Sequence, residues 1–377
     1  MLVPVQDIIG TIVHYIVPFL LMITPIVFFH ELGHFLAARA CGVRIDTFSI
    51  GFGPSIVSWH DRFGTRWKIA WIPLGGYVKF FGDDNAASMP ARERLDALSA
   101  GDRQVAFPFK PLYQRALIVA AGPAANFVLA IVILTAFLVA LGTYVAPPVV
   151  SKVVPGSAAA EAGMRAGDTV LSVNGTRIES FDDIRGLVWE RAGESLPVRV
   201  GRAGKTLLLH VTPKPTVLNM AGGPQKVGLL GIDSPPVAQW KHVSYGLFGA
   251  VAEACRQSWS IVAETFEQLG RMFTGAARTS QMSGVIGIAK LSGDVAAVSW
   301  LDLFRLAALI SISIGLVNIF PIPILDGGHL LYYGFEAVLG RPLGARAQDV
   351  GFRLGLAVMV AVMLLAAWND LVRLNLF

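Results

Sequence analysis

Charged residues are scarce in this sequence: Asp, Glu, Lys and Arg make up 15% of its 377 residues, whereas a soluble domain contains about 25%. This scarcity, together with a hydrophobic content of 54%, excludes an ordinary soluble protein. The net charge of +5 is small and lies mainly in loops, so it requires no nucleic-acid partner. Cysteine is scarce as well, and two residues exclude a fold built on disulfide bonds.

Four uncharged runs predict membrane-spanning helices, since about 20 apolar residues cross the core of a bilayer. The runs are Ile8–Phe29, Ala116–Gly142, Leu306–Leu325 and the shorter Leu354–Asn369. No Lys or Arg precedes Arg39, so the first run lacks the basic start of a secretory signal. We therefore interpret it as a retained span.

The distribution of Lys and Arg predicts the orientation of the spans. Eleven of these residues lie between Arg39 and Arg115, and the last connection adds Arg341, Arg346 and Arg353. The positive-inside rule makes both regions cytoplasmic. Both termini and the segment from about 145 to 300 then lie on the outer side, which places Cys41 and Cys255 on opposite sides, unable to pair.

The regions between the spans differ in composition. Residues 43–81 alternate β-branched and aromatic residues with Gly and Pro, which predicts short strands and hairpins, and a polar linker follows at 82–104. Residues 146–235 contain short strands, a helix start and an Asn-Gly turn at Asn174. Residues 236–300 predict an amphipathic helical segment, which either lies on the outer membrane surface or packs on the helical bundle.

The motif HELGH places His30 and His34 one helical turn apart, so both side chains project from one face and can bind one zinc ion. Glu31 lies one position further round and can reach an attacking water without being a ligand. A catalytic zinc ion takes three protein ligands and keeps one open position. Ionisable groups inside a membrane are costly and usually functional, which argues against a chance pair of histidines.

The third ligand is predicted in the run VNIFPIPILDGGH, residues 317–329. Pro321 and Pro323 interrupt the helix, and non-helical backbone at membrane depth is tolerated only inside protein or beside a watery cavity. This favours Asp326 as the ligand. His329 and Glu336 remain alternatives, and Cys41 is a weaker one.

Three motifs in order carry a family resemblance: FFHELGHF, AGPAANF with Asn126 inside an apolar run, and NIFPIPILDGGH. With GFGP, IPLGGYVK and WNDLVRL they resemble the site-2 protease family of intramembrane zinc metalloproteases, peptidase M50, and within it the bacterial regulator-of-sigma-E protease branch. The resemblance covers nearly the whole chain. It implies an α-helical membrane bundle of about four spans, a membrane-reentrant β-loop and an inserted α+β PDZ domain.

The resemblance also implies a role for single residues. His30, His34 and Asp326 would hold one zinc ion per chain, and Glu31 would be the general base. Asn318 would contact the substrate backbone, although a polar residue at this depth can also serve helix packing.

The resemblance also implies a second set of residues, which would bind the substrate. The β-loop would pair with an extended substrate as an added strand. The predicted substrate-binding residues are Gly51, Phe52 and Gly53 in this loop and Pro321 and Pro323 before Asp326.

The stretch PGSAAAEAGMRAGDTVLSVNG resembles a PDZ domain in the circularly permuted bacterial arrangement. Its peptide groove would be formed by Gly228, Leu229, Leu230, Gly231 and Ile232 of VGLLGI. A buried strand without a ligand is the alternative for this run. The best-known members of the branch carry two PDZ domains, and this chain has room for one, so peptide binding and size filtering both remain open.

These observations divide the chain into seven segments. They are 1–42 with the first span and HELGH, 43–110 with the β-loop and linker, 111–145 with the second span, 146–235 with the PDZ domain, 236–300 with the amphipathic segment, 301–330 with the third span and the LDG motif, and 331–377 with the cytoplasmic connection and the fourth span.

The sequence thus predicts a zinc-dependent intramembrane endopeptidase of a bacterial cytoplasmic (inner) membrane. Its partners would be the lipid bilayer, single-span substrates such as anti-sigma-factor-type regulators and remnant signal peptides, and a peptide ligand of the PDZ domain. One alternative is a membrane-anchored PDZ adaptor with a non-catalytic metal site, which has no need of Glu31. Another is a metal transporter, for which the other spans lack liganding residues.

Overall fold

The computed structural model describes residues 5–82, 98–189, 191–220, 223–273 and 284–373. The α-helices in these ranges are α1 (Val5–Ala40), α2 (Ala100–Val105), α3 (Leu112–Leu141), α4 (Ala158–Glu161), α5 (Phe181–Trp189), α6 (Leu247–Phe273), α7 (Val285–Val298), α8 (Trp300–Ile319), α9 (Asp326–Leu339) and α10 (Ala345–Arg373). The strands are β1 (Ile45–His60), β2 (Arg66–Phe80), β3 (Thr143–Val145), β4 (Lys152–Val153), β5 (Thr169–Val173), β6 (Thr176–Arg177), β7 (Leu196–Arg202), β8 (Lys205–Val211), β9 (Lys214–Met220), β10 (Gly223–Leu229), β11 (Ile232–Asp233) and β12 (Lys241–Val243).

The chain divides into two compact units. The first comprises Met1–Thr135, Val251–Thr265 and Met282–Phe377, and the second comprises Ala136–Ala250 and Phe266–Gln281. Residues 83–97, which make up most of the predicted polar linker, lie outside the described ranges.

Four described helices are long and apolar enough to cross a membrane: Ile12–Ala40, Leu112–Leu141, Trp300–Ile319 and Arg346–Val372. Many of their large apolar side chains are exposed, among them Leu21, Val128 and Leu364. Exposed apolar surface of this extent requires a partner other than water. The prediction of four apolar spans is confirmed, and the protein is a membrane protein.

Two of the helices have bounds that differ from the uncharged runs. Helix α1 continues beyond Phe29 to Ala40 and carries HELGH within it. The run Leu306–Leu325 is interrupted, because α8 ends at Ile319 and a new helix, α9, begins at Asp326. The break follows from Pro321 and Pro323, because proline removes a backbone donor and clashes with the preceding turn.

Helix α1 lies at the centre of the first unit. Its residues Phe19, Met22 and Ile26 are buried in one apolar cluster. The same cluster contains Ala289 and Ala296 of α7 and Leu303, Leu306 and Ala307 of α8. Within the predicted amphipathic segment 236–300, α7 therefore packs on the helical bundle.

The start of α7 is capped by a residue from the end of the chain. Asp370 of α10 is 2% exposed and accepts hydrogen bonds from the backbone N–H groups of Gly284 at 3.1 Å and Gly287 at 2.9 Å. A carboxylate satisfies donors that have no partner inside a helix and is favoured by the helix dipole. This cap fixes α10 against α7.

Strands β1 and β2 form one long bent hairpin in place of the several short hairpins expected. Residues 47–50 of β1 each have two partners in β2, so that Phe48 faces both Trp67 and Val78. Residues 47–50 consequently lie between the two halves of β2, and Phe48 and Ser49 are fully buried. The second half of β2, residues 76–80, pairs on one side only among the described residues.

The hairpin is fixed to the end of α1 by Arg39. The guanidinium donates to the carboxylate of Asp61 and to Thr65 Oγ1 at 3.2 Å, and it lies 4.1 Å from the ring centroid of Phe63. Trp67 Nε1 donates to the same carboxylate at 3.2 Å. The turn of the hairpin is thus bound to the helix that carries HELGH.

The second unit contains a four-stranded sheet in the order β6-β5-β7-β8, with β9–β10 as a hairpin and β11 paired to β4. Its core includes Val170, Val198 and Val211 from the sheet and Ile184 from α5. Asn174 and Gly175 adopt φ values of 48° and 81°, so the predicted Asn-Gly turn is found between β5 and β6.

The predicted groove segment Gly228–Ile232 is not one strand. Gly228 and Leu229 end β10, while Ile232 begins β11. Between them Gly231 takes a φ of 73°, and Leu230 is 5% exposed within the core. The expectation of a continuous edge strand is wrong because the chain turns at Gly231, and ligand binding there stays a prediction.

One buried ion pair stabilises the sheet of this unit. Asp168 is 1% exposed and accepts two hydrogen bonds of 2.7 Å from Arg202 and one of 2.8 Å from the backbone N–H of Arg165. These hydrogen bonds, first those from Arg202, hold the pKa of Asp168 below its ordinary value. The resulting stabilisation is complete above the unfolded-state pKa of about 3.9 and is lost as the pH falls through the lower folded-state pKa.

We therefore expect Arg202→Leu to destabilise the second unit by about 2 kcal/mol at pH 7, with a smaller loss below about pH 3.9, where the carboxylate is protonated in the unfolded chain. Urea titrations of the full-length protein at pH 7 and at lower pH, with hydrogen exchange in β5 and β7 as the readout, measure both values. Arg199→Leu, at an exposed position of the same strand, is the control. An equal loss at both pH values would contradict the role of Asp168.

Candidate active site

Helix α1 brings the rings of His30 and His34, the two histidines of HELGH, close together. The Nε2 atoms of His30 and His34 are 3.3 Å apart, and the ring centroids are 4.9 Å apart. Both side chains are largely buried, with 12% and 11% exposed. This close approach follows from the i, i+4 spacing on a helix.

Asp326 completes the cluster from a distant part of the sequence. Its Oδ2 atom lies 3.2 Å from His30 Nε2 and 3.4 Å from His34 Nε2. In a tetrahedral site with bonds of about 2.1 Å, neighbouring ligand atoms are about 3.4 Å apart. The observed separations match this value. Asp326 Oδ2 is also buried without a hydrogen-bond partner, so the donor set fits a zinc ion.

Strain and close packing position Asp326 at the start of α9. Ile324 has a φ of 115°, a conformation that costs a β-branched residue about 1–3 kcal/mol. A Cβ atom on Gly327 would lie 2.1 Å from the carbonyl oxygen of Ile319, and one on Gly355 of α10 would lie 1.9 Å from that of Pro323. The glycines of LDGG therefore permit α9 to begin directly against the end of α8.

Helix α3 holds His34 from the opposite side. His34 Nδ1 lies 2.9 Å from the carbonyl oxygen of Ile118. Because a carbonyl oxygen only accepts, Nδ1 carries the hydrogen and donates it, which leaves the Nε2 lone pair free for a metal. Gly33 and Gly122 permit this approach, since a Cβ atom at either would lie 2.2 Å from a neighbouring atom.

Glu31 lines a cavity of about 200 Å³ together with His30, His34 and Asp326. Gly76 of β2 closes one side, since a Cβ atom there would be 3.1 Å from Glu31 Cγ. Glu31 is absent from the cluster of converging ligand atoms. Its position suits a proton carrier beside the metal site.

Asn318, at the end of α8, lines the cavity, and its contact with the substrate backbone stays a prediction. Pro321 and Pro323 do not line it; they precede the strained Ile324, which does. The two prolines affect the site through the backbone, because they end helix α8 and shape the turn before Asp326.

The other candidate ligands lie apart from the cluster. His329 lines the cavity one turn after Asp326, but its ring is not among the converging groups. Glu336 accepts two hydrogen bonds from Arg115, at 3.1 Å and 2.6 Å. Cys41 packs beside the aromatic core of the hairpin. The choice of Asp326 over the three alternatives agrees with this geometry.

The hairpin reaches the cavity through a different stretch from the one predicted. Gly51, Phe52 and Gly53 are absent from the cavity lining, which instead includes Gly76, Tyr77 and Val78. The sequence signal for this stretch was the glycine pair of IPLGGYVK inside a β-rich, apolar region. The contact of this stretch with the cavity depends on the pairing of residues 47–50 with both halves of β2, which the sequence does not show.

A helix with H-E-x-x-H and a remote aspartate that converge among apolar helices define a zinc metalloprotease of the membrane-embedded class. The chain belongs to peptidase family M50, which matches residues 18–362. It is a zinc metalloprotease, since the family uses zinc and similar proteins carry that name.

The similar proteins cover nearly the full length of the chain. Metalloprotease MmpA of Caulobacter vibrioides is 43% identical over 96% of this chain and 96% of its own length. A protein of Agrobacterium fabrum, provisionally named a zinc metalloprotease, is 42% identical over 96% of this chain and 97% of its own length. The crystal structure of a PDZ domain from an SdrC-like protein of Listeria monocytogenes covers 24% of this chain and 87% of that chain, with 19% identity and a TM-score of 0.19, too low to support an argument.

Proposed function

We propose that this protein is an intramembrane endopeptidase that cleaves single-span membrane proteins within or beside their apolar segment. The observation that carries the proposal is the convergence of His30, His34 and Asp326, with Glu31 beside them, among helices that can cross a membrane. A site of this depth and polarity has no use in a purely structural bundle, because buried ionisable groups are costly.

The edge of β2 that pairs with no second strand among the described residues supports an extended mode of substrate binding. Residues 76–80 pair with β1 on one side, and Gly76, Tyr77 and Val78 line the cavity. A helical substrate shields its peptide bonds by internal hydrogen bonds, so it must be held extended before cleavage. An added strand on this edge would hold it by main-chain hydrogen bonds. The reentrant position of the hairpin in the bilayer is part of the proposal.

The proposed mechanism gives each residue of the site a separate task. His30, His34 and Asp326 would hold the zinc ion, which when bound would supply Lewis acidity for the scissile carbonyl and for water. Glu31 takes the proton from the attacking water and delivers it to the leaving amine nitrogen. Asn318 orients the substrate backbone by hydrogen bonding from the cavity wall.

The physiological setting completes the proposal. Substrates are anti-sigma-factor-type regulators and remnant signal peptides, which share one apolar segment accessible from the bilayer. The excess of Lys and Arg between Arg39 and Arg115 supports a cytoplasmic location for that region. The second unit then lies on the outer side of a bacterial cytoplasmic membrane, where its PDZ fold binds a peptide or restricts substrate size.

The test is cleavage of a tagged single-span protein by the purified enzyme in liposomes. We expect products whose new termini, located by mass spectrometry, lie in or next to the apolar segment. A chelator should stop cleavage, and added zinc should restore it. The same tagged protein with its span replaced by a soluble linker is the control substrate. Cuts confined to the soluble portions, or equal cleavage of both proteins, would overturn the proposal.

A further inference from the structure

Asn126 is a fully buried polar residue inside the apolar helix α3. Its Nδ2 atom lies 3.3 Å from Nδ1 of His30, and its Oδ1 atom is buried without a hydrogen-bond partner. An unpaired amide oxygen in an apolar interior costs about 1–3 kcal/mol. A residue retained at this cost, in contact with a histidine of the metal site, needs a physical explanation.

The surroundings of His34 indicate what that explanation is. The Nδ1 hydrogen of His34 is accepted by the carbonyl oxygen of Ile118. Ile118, Gly122 and Asn126 follow one another at intervals of four residues, so they share one face of α3. Gly122 lies against the ring of His34. The same helix face therefore meets both histidines, with a backbone acceptor for one and a side-chain amide for the other.

The chemistry of a metal ligand settles the orientation of the amide. His30 faces the cluster through Nε2, so Nε2 must keep its lone pair and Nδ1 must carry the hydrogen. That hydrogen requires an acceptor, which an amide NH₂ group cannot be. Amide oxygen and nitrogen are assigned from hydrogen bonding, and a turn of the amide by half a rotation places Oδ1 on His30.

We propose that Asn126 is a positioning residue of the metal site: its amide oxygen accepts the Nδ1–H of His30 and fixes the tautomer that binds zinc. The proposal rests on the role of His30 as a ligand. It gives the orphaned Oδ1 atom a partner, because the oxygen becomes the acceptor when the ring is in its ligating form, while the amide nitrogen takes the position that Oδ1 leaves. Outer partners of this kind contribute about 10- to 100-fold to metal affinity.

The test compares zinc affinity in three full-length variants by competition with a chelator. Asn126→Leu keeps the volume but removes the acceptor, and we expect zinc binding to weaken by about 10- to 100-fold. Asn126→Asp supplies a stronger acceptor, and we expect zinc affinity to stay within about threefold of wild type or to rise. Thr135→Val removes another buried polar group of α3 and should leave zinc affinity unchanged.

The stability of the zinc-free protein separates positioning from simple packing. A buried carboxylate is costly whereas leucine suits an apolar site, so Asn126→Asp should be the less stable variant while it binds zinc more tightly than Asn126→Leu. Zinc affinity that instead follows stability across the variants would overturn the proposal. Asn126→Asp could fail to fold, and the other two variants then decide the question. If Asn126→Leu bound zinc as tightly as Thr135→Val, that result alone would overturn the proposal.

His30→Ala distinguishes failure of the inference from failure of the site. Loss of zinc in His30→Ala with normal affinity in Asn126→Leu would reject only the role of Asn126. Zinc retained in His30→Ala would instead show that His30 is not a ligand and would remove the basis of the inference.

Discussion

Replacement of Glu31 by glutamine is expected to abolish peptide-bond cleavage while zinc binding remains. The glutamine side chain fills the same space beside Gly76, but it can neither take a proton from water nor return one to the leaving amine. Glu31 lies outside the cluster of converging ligand atoms, so the three groups that hold the metal are untouched. General acid–base catalysis contributes about 10²- to 10⁴-fold, and we expect a loss near the upper end because one residue performs both proton transfers.

The measurement pairs a cleavage assay in liposomes with the zinc content of the same preparation. Glu264→Gln, an exposed carboxylate on α6, is the matched control and should cleave at the wild-type rate. Cleavage by Glu31→Gln at more than a tenth of the wild-type rate would assign the proton transfers to another group. Loss of zinc together with activity would mean that Glu31 supports the metal site rather than the chemistry.

The ligand set could be predicted from the sequence because polar groups are rare in this chain. In an apolar helix, two histidines at i, i+4 stand out against a background without charge. The same holds for Asp326, which follows two prolines at the end of a span. The physical cost of burying these groups made them informative, and their convergence over nearly 300 residues agrees with the structure.

Features that depend on long-range pairing could not be predicted. Residues 76–80 form the edge that reaches the cavity, because residues 47–50 pair with both halves of β2. Alternation of residue types predicts strands but does not say which strand is central. The acceptor for His34 is the backbone oxygen of Ile118, and a carbonyl group leaves no trace in the sequence. Both required the packed structure.

Glycines in the motifs were visible, but their purpose was not. Gly122 and Asn126 belong to AGPAANF, in which the polar Asn126 alone drew attention. The contact distances show that Gly122 is equally constrained, since the ring of His34 occupies the space where a side chain would begin. This constraint gives the second large expected effect.

Gly122→Ala is expected to weaken zinc binding by about 100-fold or more and to reduce cleavage with it. A methyl group at this position would lie 2.2 Å from Nε2 and 2.5 Å from Cε1 of His34, well inside contact distance. The ring cannot move away freely, because its Nδ1 atom is bound to Ile118 of the same helix. Displacement of a reacting group by about 1 Å lowers the rate by about 10²-fold, and loss of the hydrogen bond that orients a metal ligand lowers metal affinity by about 10- to 100-fold.

The alternative response is separation of α3 from α1, and it leads to the same result. The two helices are also in contact at Gly33, where a Cβ atom would lie 2.2 Å from the carbonyl oxygen of Ala121. Separation would open this contact and remove the acceptor of His34. Either movement displaces the Nε2 atom from the position where it meets Asp326.

Gly334→Ala on α9 is the matched control, since no atom lies within 4 Å of its added methyl group. Alanine favours a helix over glycine by about 1 kcal/mol, so this variant should be slightly more stable and should bind zinc normally. The comparison isolates the contact with His34 from the general effect of alanine in a helix. If Gly122→Ala bound zinc within about twofold of Gly334→Ala, the ring of His34 could not lie against α3, and the assignment of Ile118 as its acceptor would be wrong.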